Sequence, residues 1–346
     1  MNNNNYTFNV IDVNETDWRS LLNYHDYKVL HSREYLEYFE KTKGGNPTIV
    51  AISLQDDLLG YFIGHIFKKF GFRVFGSPAR GWQTSFMGFI LKDGIQRVDV
   101  LPQFVSFVFN KLGCIHLEFY DDNFTVDDCN KLGLRHVVIE GYKIDLTVSE
   151  DALYKNMSNS SCRYAIRKAE RSGVYIEEAE APGFAEEYSH QLVEVYAKDS
   201  YFPPFGAERV RELIRCMYPT GNLLLLRARN AEGDCIATGI FLGLNQMVHF
   251  WGAASLKKYQ HLCPNEPLIW YAMKYWKKRG IPVFEMGGPG DYKKKFGGTQ
   301  IAVPRVTISR YWLIARLEVM VARTYVGFCA FKHKLRQWPN KAIVEK

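Results

Sequence analysis

The sequence predicts an α/β (α+β) protein built from two duplicated domains, and three observations carry that prediction. A helix-and-strand pattern recurs at an offset of 167 residues: QFVSFVFNKLGCIHLEF (103–119) matches WYAMKYWKKRGIPVFEM (270–286), aligning Gly113 with Gly280 and Glu118 with Glu285. Each copy is preceded by two apolar runs separated by a polar turn, TIVAISLQDDLLGYFIGHIF (48–67) and LLLLRARNAEGDCIATGIFLGL (223–244), which read as β-hairpins. The composition is that of a soluble globular chain, with 47% hydrophobic and 23% charged residues over a length sufficient for two domains.

The order within each half follows from those segments. An apolar helix closes on K-x-G, where glycine stops the helix, and a short strand carrying a glutamate comes next. KLGLRHVVIEGYKIDL (131–146) and KFGGTQIAVPRVTISR (295–310) then repeat as a lysine, an apolar residue, a glycine and a strand. The expected organisation is an N-terminal domain over 1–140, a C-terminal domain over 141–312 and a basic amphipathic helix with a tail over 313–346. The boundary runs from a strand, GYKIDLTVS (141–149), straight into a helix, so the domains are expected to pack closely.

The net charge of +7 favours phosphate-bearing ligands or an anionic membrane face but is too small to argue for nucleic acid. The seven cysteines are scattered without a C-x-x-C, and His249 and His261 lie twelve residues apart, so reduced thiols and no metal site are expected. MNNNNYTFNV has neither a basic n-region nor an apolar h-region, and no apolar run approaches the ~20 residues of a membrane span. A cytoplasmic location is expected. The C-terminal helix fits either of two roles, an interfacial helix at the inner face of the membrane or a brace packed across both domains.

Three segments carry a family resemblance. RYAIRKAERSGV (163–174) opens the second half, HFWGAAS (249–255) is an aromatic strand ending in small residues, and FEMGGPGDYKKKFGG (284–298) closes the unit. Together with the repeat they resemble the FemAB-like acyltransferases of the GCN5-related N-acetyltransferase (GNAT) superfamily, over about residues 40–312. That group includes aminoacyl transferases that build peptidoglycan cross-bridges and proteins of exopolysaccharide gene clusters. The resemblance implies tandem GNAT-like domains, each a mixed, mostly antiparallel sheet flanked by helices. It also implies transfer of an acyl or aminoacyl group to an amine of an envelope or polysaccharide precursor. The chain departs from the family pattern at Glu285, Tyr292 and Lys295, and it lacks the coiled-coil arm of some cross-bridge enzymes.

Such a reaction requires a neutral amine, a group that accepts its proton, and donors for the oxyanion. Holding two substrates together contributes ~7–11 kcal/mol, more than one base usually supplies. No G-x-S-x-G elbow occurs. Glu285 ends an apolar strand before Gly-Gly and is the candidate base, although its counterpart Glu118 also suits a structural role common to both halves. Three adjacent lysines cannot all face one cleft; the resemblance selects Lys293, with Lys294 and Lys295 left to a solvated turn. The stretch 287–294 reads as an insertion absent from the first half. Arg163 and Arg167, four apart on one helical face, either clamp an acidic acceptor or form a solvated basic face. Tyr201, Trp251 and Tyr292 are candidate substrate-binding aromatics, against a core role for each.

Standard GNAT enzymes hold a coenzyme A pyrophosphate in a glycine-rich loop. The corresponding connection here, SLKKYQHLCPNEP (255–267), has no glycine. No tightly bound cofactor is expected, and the donor is left open between an aminoacyl-tRNA, a carrier-bound acyl group and an acyl-CoA. Two alternatives stand beside this reading: an acetyl-CoA-dependent N-acetyltransferase and a non-catalytic binding protein of the same fold.

Overall fold

The computed structural model describes residues 5–82, 84–197, 202–288 and 290–312. The expected C-terminal helix and its membrane contact lie outside them, as does Tyr201. Among the described residues no helix is long and apolar enough to cross a membrane.

The first half contains β1 (Tyr6–Ile11), α1 (Arg33–Lys43), β2 (Asn46–Leu54), β3 (Asp57–Lys69), β4 (Phe72–Ser77), β5 (Gly88–Leu91), α2 (Arg97–Asn110), β6 (His116–Tyr120), α3 (Val126–Lys131) and β7 (Arg135–Asp145). The second contains α4 (Glu150–Asn156), α5 (Tyr164–Arg171), β8 (Tyr175–Glu178), α6 (Phe184–Ala197), α7 (Ala207–Met217), β9 (Leu223–Arg229), β10 (Cys235–Leu244), β11 (Met247–Ser255), α8 (Asn265–Lys278), β12 (Val283–Glu285), α9 (Asp291–Lys294) and β13 (Thr299–Ser309).

Local chemistry explains the punctuation. The hairpin β2–β3 turns on Gln55 and Asp56, both at positive φ, as a two-residue turn between right-twisted strands requires. The K-x-G signals of both halves stop α2 and α8, with Gly113 and Gly280 left-handed at φ 65° and 78°. Behind them Cys114 N–H bonds back to Val108 and Ile281 N–H to Trp276, satisfying the last carbonyls of each helix.

One sheet of thirteen strands runs through the molecule in the order β1-β2-β3-β4-β6-β13-β7-β12-β11-β10-β9-β8, with β5 on β3. The duplication is visible in its pairing: β4–β6 and β11–β12 are the parallel pairs, placed at equivalent points of the two halves. The closing strands are exchanged. β7 follows the first half in sequence yet pairs with β12, setting Lys143 beside Glu285, while β13 pairs with β6, setting Thr307 beside Glu118. β7 and β13 also pair with each other, so they form the seam. The 140/141 position falls inside β7.

The halves share a core. Tyr35, Phe39, Ile49 and Ile63 from the first pack with Leu213, Leu225, Ile240 and Leu242 from the second, under α1, α6 and α7. The opposite face of the second half buries Ile166, Leu268, Met273 and Trp276 from α5 and α8. The opposite face of the first half is an aromatic core around Phe62, Phe75, Phe104 and Phe119.

The first half does not lack a segment where 287–294 sits. Residues 121–134, with α3, bridge β6 to β7 as 286–298, with α9, bridge β12 to β13. Low identity hides the equivalence, because the two connections carry different side chains on the same path.

Candidate active site

A cavity of about 450 Å³ lies between the halves, lined by Leu30, Tyr35, Thr84, Ser85 and Tyr120 from the first and by β11, β12, α6 and the 287–293 loop from the second. Its location follows from strand divergence. β11 and β12 pair only through Met247–Val283, Val248–Phe284 and His249–Glu285; beyond that rung β12 ends while β11 continues to Ser255. A bulge at Trp251 interrupts the β10–β11 register, since Ile240 pairs with Gly252 and Phe241 with Phe250. Bulges re-aim side chains next to sites. Alternation along β11 then sends Val248 and Phe250 into the α5–α8 core, and His249 lines the cavity with Trp251.

In the first half the corresponding gap is filled. Residues after β4 fold back so that Met87 N–H bonds to Tyr120 and Gly88 N–H bonds to Ser77 Oγ. The same segment carries Ser85 across to the second half, where its hydroxyl donates to Glu285 Oε2 at 3.0 Å.

Glu285 is buried, and both of its carboxylate oxygens have hydrogen-bond partners. Besides Ser85, Oε2 lies 3.1 Å from His249 Nδ1, and Oε1 accepts from Gly287 N–H at 2.6 Å. Lys293 is the buried lysine of its run, and Nζ donates to the Gly288 carbonyl at 2.6 Å. Burial lowers its pKa below the ordinary lysine value, an effect the Glu285 carboxylate partly offsets. Lys294 is exposed, and Lys295 forms an ion pair with Glu266 at the start of α8. The single helical turn of α9 is what separates the three directions.

Lys293, Glu285, Tyr292 and Trp251 therefore line one cavity. Arg163 and Arg167 do not. Arg163 sits at the entry of α5, over the Tyr154 ring at 5.9 Å, and Arg167 Nη2 donates to Asn159. Because α5 covers the other face of the sheet, the shared helical face that makes them a plausible clamp in sequence points away from the cavity. Sequence reasoning missed Ser85, Tyr188, His249 and Arg305. Their only signal is spatial: Ser85 and Arg305 reach the site from the opposite half or the exchanged strand.

The glycines of KFGG are packing devices. A Cβ on Gly297 would meet the Asn156 carbonyl oxygen at 2.5 Å, and one on Gly298 would meet that of Lys143 at 2.9 Å. They let the loop press against the end of α4 and against β7. Among the described residues no group of histidine, cysteine or acidic side chains could hold a metal ion.

Residues 158–295 match the family model described as an acetyltransferase (GNAT) domain. Comparison with curated protein sequences gave no match. Among solved structures the chain is similar to FemX, with a TM-score of 0.69 at 12% identity, over 87% of this chain and 97% of that one. A tandem GNAT protein from the clavulanic acid biosynthesis pathway aligns with a TM-score of 0.54 at 8% identity, over 88% and 99%. L-PGS from Bacillus licheniformis aligns at 0.50 and 13%, over 86% and 97%. At these identities the likenesses speak to the fold, and the family match speaks to the chemistry of the second half. Residues 158–295 thus carry a GNAT acetyltransferase domain, and the chain as a whole has the tandem, FemX-like fold that the FemAB-like resemblance implies.

Proposed function

We propose that the protein transfers an acyl or aminoacyl group from an activated ester or thioester to an amine on a cell-envelope or polysaccharide precursor, within the cavity between the halves. The observation that carries this reading is the placement of Lys293 beside Glu285 at the end of the parallel β11–β12 pair. A buried ammonium there is suited to stabilising the oxyanion that forms on the acyl carbonyl, because its charge acts in a water-poor site. The buried carboxylate supplies the negative charge toward which the amine's proton moves. The aromatic walls, Tyr35, Tyr188 and Trp251 among them, suit a ring or peptide backbone on the acceptor. The FemAB-like resemblance of 163–174, 249–255 and 284–298 supports a wall or polysaccharide precursor as acceptor. The glycine-free connection before α8 supports an aminoacyl-tRNA or carrier-bound donor, with no cofactor held tightly.

Purified protein is incubated with an aminoacyl-tRNA, an acylated carrier protein or acetyl-CoA, together with amine-bearing precursors, and products are read by mass. A mass increase on the acceptor amine with one of the first two donors is expected, and Lys293→Ala should abolish it while the thermal melt stays intact. Product from acetyl-CoA alone overturns the donor assignment. Absence of product with every donor overturns the reading.

A further inference from the structure

We propose that the proton-accepting atom of the reaction is Nε2 of His249, and that Glu285 acts through this imidazole as a positioning residue. The inference rests on the acyl-transfer reading and names the group that does its acid–base work.

Three observations converge. Both Glu285 oxygens are already taken, Oε1 by Gly287 N–H and Oε2 by the Ser85 hydroxyl and His249 Nδ1. An ionised carboxylate only accepts, so Nδ1 carries the hydrogen and Nε2 carries the lone pair. Nε2 is buried without a hydrogen-bond partner among the described residues, and its ring lines the cavity alongside Tyr292 and Lys293. A buried imidazole nitrogen left unpaired is costly unless something it binds completes it.

The third observation comes from the duplication. The parallel registers are equivalent: Met247, Val248 and His249 face Val283, Phe284 and Glu285 as Val74, Phe75 and Gly76 face His116, Leu117 and Glu118. The glutamate is present in both halves; the histidine is present only in the half with the open cavity. At Gly76 a side chain is sterically excluded, since a Cβ would lie 2.6 Å from that of Ala79 in the segment filling the gap. Glu118 instead sits 3.9 Å from Arg80 and Arg305. The glutamate is thus common architecture, and His249 is what distinguishes the open site.

The step balances within the two substrates and the dyad. The neutral acceptor amine attacks the acyl carbonyl, forming a C–N bond. Its N–H proton passes to Nε2, and the imidazolium is stabilised by Glu285 across the Nδ1 hydrogen bond. As the C–O or C–S bond to the donor breaks, the same proton passes to the departing oxygen or sulfur, restoring the neutral ring. The titratable and charged groups that share the cavity with the imidazole include Glu285 on β12, Tyr292 and Lys293 on α9, Tyr120 on β6 and Arg305 on β13, with His31 beside the cavity wall residue Leu30.

The experiment compares wild type, His249→Gln and Glu285→Gln with the donor and acceptor found above. His249→Gln should lower kcat by ~10²–10⁴-fold with both KM values unchanged. Full kcat in His249→Gln overturns the assignment while leaving the acyl-transfer reading intact. A wild type that transfers nothing overturns that reading instead. Nitrogen NMR of the His249 ring then decides the dyad: an Nδ1–H tautomer that becomes mixed in Glu285→Gln supports it, and an Nε2–H tautomer overturns it. Both variants are checked for native folding by circular dichroism.

Discussion

At the residue scale, Lys293 illustrates how burying a charge opposes stability. Its ammonium is desolvated between Gly288 and the cavity, which depresses its pKa in the folded protein. A base with a depressed folded pKa costs stability at any pH where the unfolded chain stays protonated, and the cost fades as pH rises through the folded value toward the ordinary lysine range. Lys293→Met should therefore reduce transfer by ~10²–10³-fold, the usual scale for losing one electrostatic stabiliser. Its thermal midpoint at neutral pH should equal or exceed the wild type's, with the gap closing as pH climbs toward 10. A lower midpoint would assign the lysine a structural role.

Asp122 behaves in the opposite sense. Burial alone would raise its pKa, but Lys28 at 2.7 Å and Lys143 at 2.7 Å together hold it well below the carboxylate range. Its contribution is present above the ordinary carboxylate pKa and is lost as pH falls through the depressed value. Asp122→Asn should destabilise by ~3–5 kcal/mol in denaturant titrations at pH 7, because the buried Lys28 ammonium and the half-buried Lys143 ammonium lose their shared partner. The deficit should shrink in strong acid, and a constant deficit would contradict the pairing.

At the element scale, β11 and the 286–298 connection shape the cavity, and two glycines separate their roles. Gly252 has an ordinary backbone, and its added Cβ would meet only the Tyr188 hydroxyl, at 2.4 Å. Gly252→Ala should push the buried Tyr188 ring aside at the cavity wall, raising KM for a substrate with at most ~1–3 kcal/mol of destabilisation. Gly297 is left-handed at φ 81° and faces the Asn156 backbone, which cannot yield. Gly297→Ala should show the larger loss of thermal stability of the two. The reverse ranking would show that the KFGG turn is not the tight packing element described. The distinction was not legible in the sequence, where both positions are simply glycines in family-like motifs.

At the scale of the whole molecule, exchange of β7 and β13 makes each half incomplete alone. Without β13 the first half exposes the edge of β6, and without β7 the second exposes the edge of β12 beside Glu285. Unpaired strand edges and an opened common core destabilise such pieces. Fragments 1–148 and 149–346 should each fail to give a native circular dichroism spectrum, and co-expression should restore a folded complex. Two independently folding fragments would contradict the exchange.

The sequence by itself determined the duplication, because the K-x-G stops of α2 and α8 and the strand glutamates are local signals written at one offset in both halves. It also determined that Lys293 and Glu285 belong to one short stretch, and that Trp251 lies on a strand of the second half. Only the tertiary structure decided which of these meet. The partnership of His249 with Glu285 depends on a parallel register between strands 36 residues apart, and that of Ser85 with Glu285 on a crossing between halves. Arg163 and Arg167 share a helical face by spacing, but which side of the sheet that face meets depends on how α5 packs. The physical reason is common to all three cases: periodicity and capping are settled by neighbours along the chain, whereas strand exchange, register and facing are settled by burying apolar area between distant segments.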